Sequence, residues 1–321
     1  GDKMAKNIRG SIFLLATAII WGFAFVAQSE GMENIGPLTF QASRMTLAAL
    51  FLCPMAIISR AIRKRKTLKE NPDKYTNKQN TKKLFLTGAV CGVLLFLASA
   101  FQQTGILYTG VGHAGFITAS YILLVPIFEL IFFKKRVPVK IWFCVIAALI
   151  GMYLLCMTEE GFRMSFGDLL ILICAVLFSF HIIAVDKLAY NFDGIEISAI
   201  QMSVAATLSL ISMFIFEKPV FSDIISSWIP IVYAGVLSCG VAYTFQIIGQ
   251  KYTSPAAAAI IMSFESVFAV IGGAIILSER LSIAEIAAGG SSEVVFTVKV
   301  NSLPAQNPVL NTARADYQFF P

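Results

Sequence analysis

Charge is scarce in this chain. Asp, Glu, Lys and Arg make up only 14% of its 321 residues, where a soluble domain carries about a quarter. Histidine is scarcer still, with only two, and zinc hydrolysis or a metal centre is not expected from so few ligands. The six cysteines, Cys53, Cys91, Cys144, Cys156, Cys174 and Cys239, all fall within apolar runs and none has CxxC spacing. They read as small hydrophobes, with no disulfide or metal role. HExxH, GxxxxGK[ST] and GxSxG are all missing, as is any nucleophile beside a base. No enzyme activity, cofactor or ATP-driven step is expected. Nor does any cleavable leader show: the first apolar run is too long and no small-residue site follows it. Gly1 to Lys3, ahead of Met4, read as an added remnant.

Apolar sequence is what the chain has in quantity, at 57%. A spanning helix needs about 20 mostly apolar residues. Such runs lie at about 10–28, 38–58, 84–104, 114–133, 139–157, 167–185, 195–216, 226–249 and 255–277. The fold class is therefore an all-α polytopic membrane protein. The net charge of +6 is concentrated between Arg60 and Lys83. A basic stretch between two spanning segments faces anionic lipid rather than nucleic acid. Its polarity argues for a solvated connector over 59–83. Basic residues alternate between loops: Lys3, Lys6 and Arg9, then none in 29–37, many in 59–83, none in 105–113, and Lys134, Lys135, Arg136 and Lys140 in the next. The positive-inside rule puts the N-terminus, 1–9, in the cytoplasm and the chain in an inner (plasma) membrane.

The chain also repeats itself. Phe101-Gln102-x-x-Gly105-x-x-Tyr108-Thr109 returns as Phe245-Gln246-x-x-Gly249-x-x-Tyr252-Thr253, at a constant offset of 144 residues. The same offset lays 114–133 on 258–277 and Arg136 on Arg280. A looser match links Gln41 and Ser43 to Gln201 and Ser203. Five helices per copy, 10–157 and 167–289, invert the second copy relative to the first, and inverted repeats rocking about a midplane site are a transporter architecture. The second copy does not close normally. A tenth helix begins at Leu281 to Ala288 and then meets Gly289-Gly290-Ser291-Ser292. Residues 293–300 alternate like a short strand, and the tail 290–321 is too polar to span.

These features resemble the drug/metabolite transporter superfamily, EamA type. The resemblance rests on Trp21-Gly22-x-x-Phe25-Val26-Ala27, Arg44, Ala114-Gly115-Phe116-Ile117 leading to Pro126, and Ser278-Glu279-Arg280-Leu281. It covers about residues 8–288. It implies ten helices in two inverted five-helix halves and transport of a small metabolite, often export of amino acids or toxic compounds. Lys135 stands where the family usually has the Glu that Glu279 supplies in the second half.

An ionisable group at the bilayer centre costs about 2.5–3.5 kcal/mol on insertion scales and so needs a partner, a wet cavity or a function. Glu265 is the sharpest case, mid-span with Tyr121 as its repeat mate. Ala269 and Gly272 share its helical face and leave room for a ligand or a neighbouring helix. It reads as a site for a substrate amine or a proton, against a structural hydrogen bond. Arg44 is open between binding a substrate carboxylate and pairing or snorkelling. Glu129 is expected to pair with Lys134 or Lys135 near the interface. His181 is open between a proton relay and a helix contact. Gln102 with Gln246, and Gln41 with Gln201, serve as interhelical glue or as substrate hydrogen-bonders. Trp21, mid-span, walls a cavity or packs. Gly88-x-x-x-Gly92 reads as close helix packing. The leading function is a secondary transporter working by alternating access on a small molecule, with protons as a candidate coupling ion. A channel or a membrane sensor is the alternative.

Overall fold

The structure is a computed structural model that describes residues 2–70, 81–135 and 164–277, with isolated positions between 139 and 162. Helices dominate it: α1 (Asp2–Gly31), α2 (Pro37–Glu70), α3 (Thr81–Ile106), α4 (Val111–Thr118) and α5 (Tyr121–Phe133). After them come α6 (Phe166–Leu188), α7 (Gly194–Phe216), α8 (Phe221–Ser226) and α9 (Trp228–Val232). A π-helix (Tyr233–Ala242) leads into α10 (Tyr243–Gln250), followed by α11 (Pro255–Met262) and α12 (Glu265–Ile276). The described strand pairing is a two-residue antiparallel contact, Met157 opposite Phe162 and Thr158 opposite Gly161.

Among the described residues, eight helical stretches are long and apolar enough to cross a membrane: Ile8–Gly31, Pro37–Lys66, Thr81–Ile106, Val111–Phe133, Phe166–Leu188, Gly194–Phe216, Trp228–Gln250 and Pro255–Ile276. They coincide with eight of the nine expected spans. Most of the expected fifth span, 139–157, the Ser278-Glu279-Arg280 motif and the tail 290–321 lie outside the described residues. The connector 59–83 differs from expectation. Helix α2 continues through it as far as Glu70, and α3 begins at Thr81. The Arg, Lys, Leu and Glu of this stretch are good helix formers. Arg63 also anchors the extension, its Nη1 lying 3.2 Å from Asp193 and its Nη2 2.7 Å from Glu196, both at the start of α7.

The residue distribution is that of a bundle in lipid. Large apolar side chains point outward, among them Ile57, Phe85, Ile131, Phe214, Ile215 and Ile275. The helix contacts inside are rich in small residues such as Ala42, Ala48, Ala98, Ala175, Ala205, Ala258 and Ala269. Since lipid tails are as apolar as leucine, close approach of backbones and interhelical hydrogen bonds must hold such helices together. Helix α2 packs most extensively on α7, α3 on α6 and α7, and α1 on α12, α10 and the π-helix. One core cluster gathers Leu14, Met45, Leu95, Tyr121, Met202 and Met262; a second gathers Phe25, Phe40, Ile106, Ile117 and Ile171.

Two features interrupt the regular helices. The fourth span breaks at Ala119–Ser120 and the eighth at Ser263–Phe264, positions separated by the repeat offset of 144 residues. At both, the backbone tightens into 3₁₀-like turns: ψ is −8° and −11° in the first and −14° and −12° in the second. Helices resume with Tyr121 and with Glu265. The π-helix leaves its carbonyls in an irregular ladder, and donors on α1 reach two of them. Thr17 Oγ1 donates to Ala242 O at 3.1 Å and Trp21 Nε1 to Ser238 O at 3.4 Å.

The expected interfacial ion pair of Glu129 forms with Lys135, at 3.2 Å.

Candidate functional site

Helix α1 presents Trp21, Ala24, Phe25 and Gln28 along one stripe at i, i+3, i+4 and i+7. Arg44 of α2, Gln102 of α3, Tyr121 of α5 and Glu265 of α12 face the same space. Ser238 of the π-helix with Tyr243 and Gln246 of α10 close the far wall. Together they enclose a cavity of about 30 Å³, room for a water or two rather than a metabolite.

Six of the residues singled out in the sequence therefore meet at one place: Glu265, Tyr121, Arg44, Trp21, Gln102 and Gln246. Arg44 and Glu265 are each only 3% exposed, and neither forms an ion pair with any described residue. Arg44 Nε, Glu265 Oε1, Tyr121 Oη, Gln246 Oε1 and Gln28 Oε1 all lack a hydrogen-bond partner among the described residues. Buried polar atoms are partnered nine times in ten or more, so five unpartnered ones around a single cavity mark it as a place where polar groups of a ligand or water would be satisfied. Arg44 also lies 5.7 Å from the centre of the Phe40 ring, a cation–π contact that holds the guanidinium without neutralising it. Gln102 donates from Nε2 to Thr118 Oγ1 at 3.2 Å, and the Trp21 and Tyr243 rings meet at 4.7 Å.

Glu265 sits where it does because α1 and α12 approach closely. A Cβ on Gly22 would come within 2.8 Å of the Glu265 carbonyl oxygen. No other residue type fits there without pushing the helices apart.

The remaining three candidates lie one layer out. His181 Nε2 is 3.2 Å from Gln201 Oε1. Its ring packs edge-on against Tyr243 and Phe178, which themselves line the cavity. Gln41 Nε2 donates to Phe96 O at 3.2 Å and to Ser209 Oγ at 3.0 Å, tying α2 to α3 and α7. Tyr243, Gln28, Ser238 and Thr118 were not singled out from the sequence. Two of them carried a signal: Gln28 extends the Trp21 stripe, and Tyr243 lies one turn before Gln246. Ser238 is placed by the π-helix, which has no comparable signature.

The comparisons with known proteins agree with one another. The model of the EamA-like transporter family matches residues 8–157 and again residues 165–292. An uncharacterized transporter of Archaeoglobus fulgidus is 26% identical over 282 residues, covering 88% of this chain and 82% of its relative. A protein of known crystal structure superposes with a TM-score of 0.64 at 19% identity, covering 87% of this chain and 92% of the other, a likeness of fold alone. The chain belongs to the EamA-like transporter family and is a multi-pass membrane transporter.

Proposed function

We propose that the chain is a secondary transporter whose two halves, 10–157 and 167–289, are inverted five-helix repeats that alternate access to the central cavity. In this reading the N-terminus is cytoplasmic, the membrane is an inner (plasma) membrane, and the direction is export. The substrate is a small metabolite that carries both an amine and a carboxylate, as an amino acid does. Arg44 takes the carboxylate. Glu265 takes the amine or, between substrates, a coupling proton, with Tyr121 beside it. Trp21 and Tyr243 wall the apolar part of the substrate. His181 and Gln201 support Tyr243 from behind, and Gln41 holds the helices.

The observation that carries the reading is that Arg44 and Glu265, a basic and an acidic side chain, line one buried cavity and are not paired with each other. Two such ionisable side chains are too costly to keep unpaired in a membrane interior for packing alone. The matched breaks before Tyr121 and Glu265 support it further, because discontinuous helices in corresponding positions of two repeats are where such transporters bind substrate. The basic residues at one end, Arg60 to Lys66 with Lys82 and Lys83, support the orientation. A cavity of 30 Å³ also favours a carrier over a channel, which needs a continuous wet path.

Counterflow in proteoliposomes, with a panel of amino acids and cationic compounds, tests it. Wild type is expected to show saturable counterflow of a zwitterionic compound, and Glu265→Gln to lose about tenfold or more of the rate. Flux that neither saturates nor exchanges would instead identify a channel. Wild-type rates in Glu265→Gln would remove Glu265 from the pathway.

A further inference from the structure

Beyond the central cavity, buried polar side chains continue toward one end of the bundle. On α7, Gly194, Ser198 and Gln201 share a stripe at i, i+4 and i+7. At the helix start this stripe meets α10: a Cβ on Gly194 would lie 2.8 Å from Ile248 Cγ1. Deeper in, Gln201 Oε1 lies 3.2 Å from His181 Nε2 of α6. On α10, Tyr243, Gln246 and Gln250 form a facing stripe at i, i+3 and i+7. The first two line the cavity. Gln250, the last residue of the helix, donates from Nε2 to Ile182 O of α6 at 3.0 Å. At about 1.5 Å per residue, Gln201 is about 10 Å from the start of α7 and Gln246 about 6 Å from the end of α10. The two stripes thus run from the helix ends to the cavity wall.

Ser198, Gln201 and His181 are fully buried and Gln250 nearly so. Ser198 Oγ, Gln201 Nε2, His181 Nδ1 and Gln250 Oε1 have no hydrogen-bond partner among the described residues. An unpartnered polar atom inside a bundle costs free energy that an apolar side chain would not. The same atoms are satisfied once water reaches them. The seam between the stripes also divides the molecule. Helix α3 packs broadly on α6 and α7, and α1 on α10 and α12, whereas α10 packs sparingly on α6 and α7. Lys251, just past α10, ties the two sides at the end of the seam, donating from Nζ to Phe192 O in the turn between α6 and α7.

We propose that Ser198, Gln201, His181 and Gln250 line the route by which the central cavity opens toward the end marked by Asp193 and Lys251. Helix α10 parts there from α6 and α7, the ties from Gln250 and Lys251 break, and water enters along the four side chains. A polar solute on its way to or from the cavity then meets hydrogen-bonding groups from Gln246 to Ser198. The proposal rests on the alternating-access reading above and assigns it a seam and a set of path residues.

Cysteine accessibility tests the route, in sealed membrane vesicles of both orientations holding the full chain with its six cysteines replaced by Ala. Arg65→Cys, exposed on α2 near the same end, marks the side of the membrane. Ser198→Cys and Gln250→Cys are expected to react with a charged, membrane-impermeant methanethiosulfonate from the side that modifies Arg65→Cys and from no other. Ser179→Cys, equally buried but on the face of α6 away from His181, is expected not to react. Lys251→Met should speed the reaction of Ser198→Cys severalfold by removing a tie that holds the seam shut. A disulfide between Gly194→Cys and Ile248→Cys should stop it. If Ser198→Cys and Gln250→Cys are inert where Arg65→Cys reacts, or react only from the opposite side, or react as fast with the disulfide formed, the proposal is overturned. One-sided reaction at both positions together with flux that neither saturates nor exchanges would keep the seam and remove the carrier reading. Saturable counterflow with both positions inert would keep the carrier and remove the seam.

Discussion

Arg44 and Gln41 stand one turn apart on α2 and illustrate two different uses of a buried polar residue. Gln41 is satisfied through its amide nitrogen by Phe96 O and Ser209 Oγ, so it acts as a tie between helices. Gln41→Ala should lower stability by about 1 kcal/mol, the scale of an interhelical hydrogen bond in a membrane protein, and leave the KM for substrate unchanged. Arg44 has a cation–π contact with Phe40 but no ion pair with any described residue, and its Nε has no hydrogen-bond partner among them. Removing an uncompensated charge relieves its desolvation, so Arg44→Leu should unfold at the same or a higher temperature in detergent while losing substrate binding. Arg44→Lys keeps the charge but not the planar fork, and should weaken binding by about tenfold. A large fall in the unfolding temperature of Arg44→Leu would show instead that the guanidinium is structural. Glu265 and Arg44 were visible in the sequence because a charge inside an apolar run stands out. That His181 backs the cavity and does not line it was not visible, because which way a helix faces is decided by its neighbours.

At the scale of elements, α2 and α7 form an antiparallel pair tied at both ends. Arg63 binds Asp193 and Glu196 at one end. At the other, the Glu217 carboxylate after α7 accepts from Leu38 N at 2.9 Å, Thr39 N at 2.8 Å and Thr39 Oγ1 at 2.6 Å. This is an N-cap supplied from the other half of the chain, and the helix dipole favours its charge. Glu217→Gln leaves one acceptor oxygen where two were used, and should cost about 1–2 kcal/mol of stability, read as a lower unfolding temperature in detergent. Turnover is expected to stay near wild type, because Glu217, Leu38 and Thr39 do not line the cavity. A rise in turnover would make Glu217 a gate rather than a cap. The helix breaks at Ala119–Ser120 and Ser263–Phe264 escaped the sequence. Neither holds Gly or Pro, and an apolar run of about 20 residues reads as one continuous span. The π-helix escaped for the same reason: hydropathy is blind to whether the ladder runs four residues or five.

At the scale of the whole molecule, a cavity of 30 Å³ is a closed form that a metabolite does not enter. Under the proposed mechanism the bundle must open on one side and then the other. Gln28→Cys, in a chain whose six cysteines are replaced by Ala, should therefore react with a membrane-impermeant maleimide from one side of the membrane. A saturating transported substrate should slow that reaction severalfold. An unchanged rate with a compound that shows counterflow would separate the cavity from the transport path. The membrane class and eight spans were plain from the distribution of apolar residues, because a lipid solvent imposes that distribution on any chain that crosses it.

What the sequence by itself determined is where the chain crosses the membrane and which buried charges need an explanation. Both follow from one-dimensional quantities, the length of an apolar run and the cost of a charge inside it. Only the tertiary structure decided that Arg44, Glu265, Tyr121, Trp21, Gln102 and Gln246 share a cavity while His181, Gln41 and Gln201 stand behind it. That division depends on the rotation of each helix about its axis. In lipid, where both faces of a helix are apolar, rotation is set by small-residue contacts such as Gly22 against the Glu265 backbone, and hydropathy along the chain does not encode it.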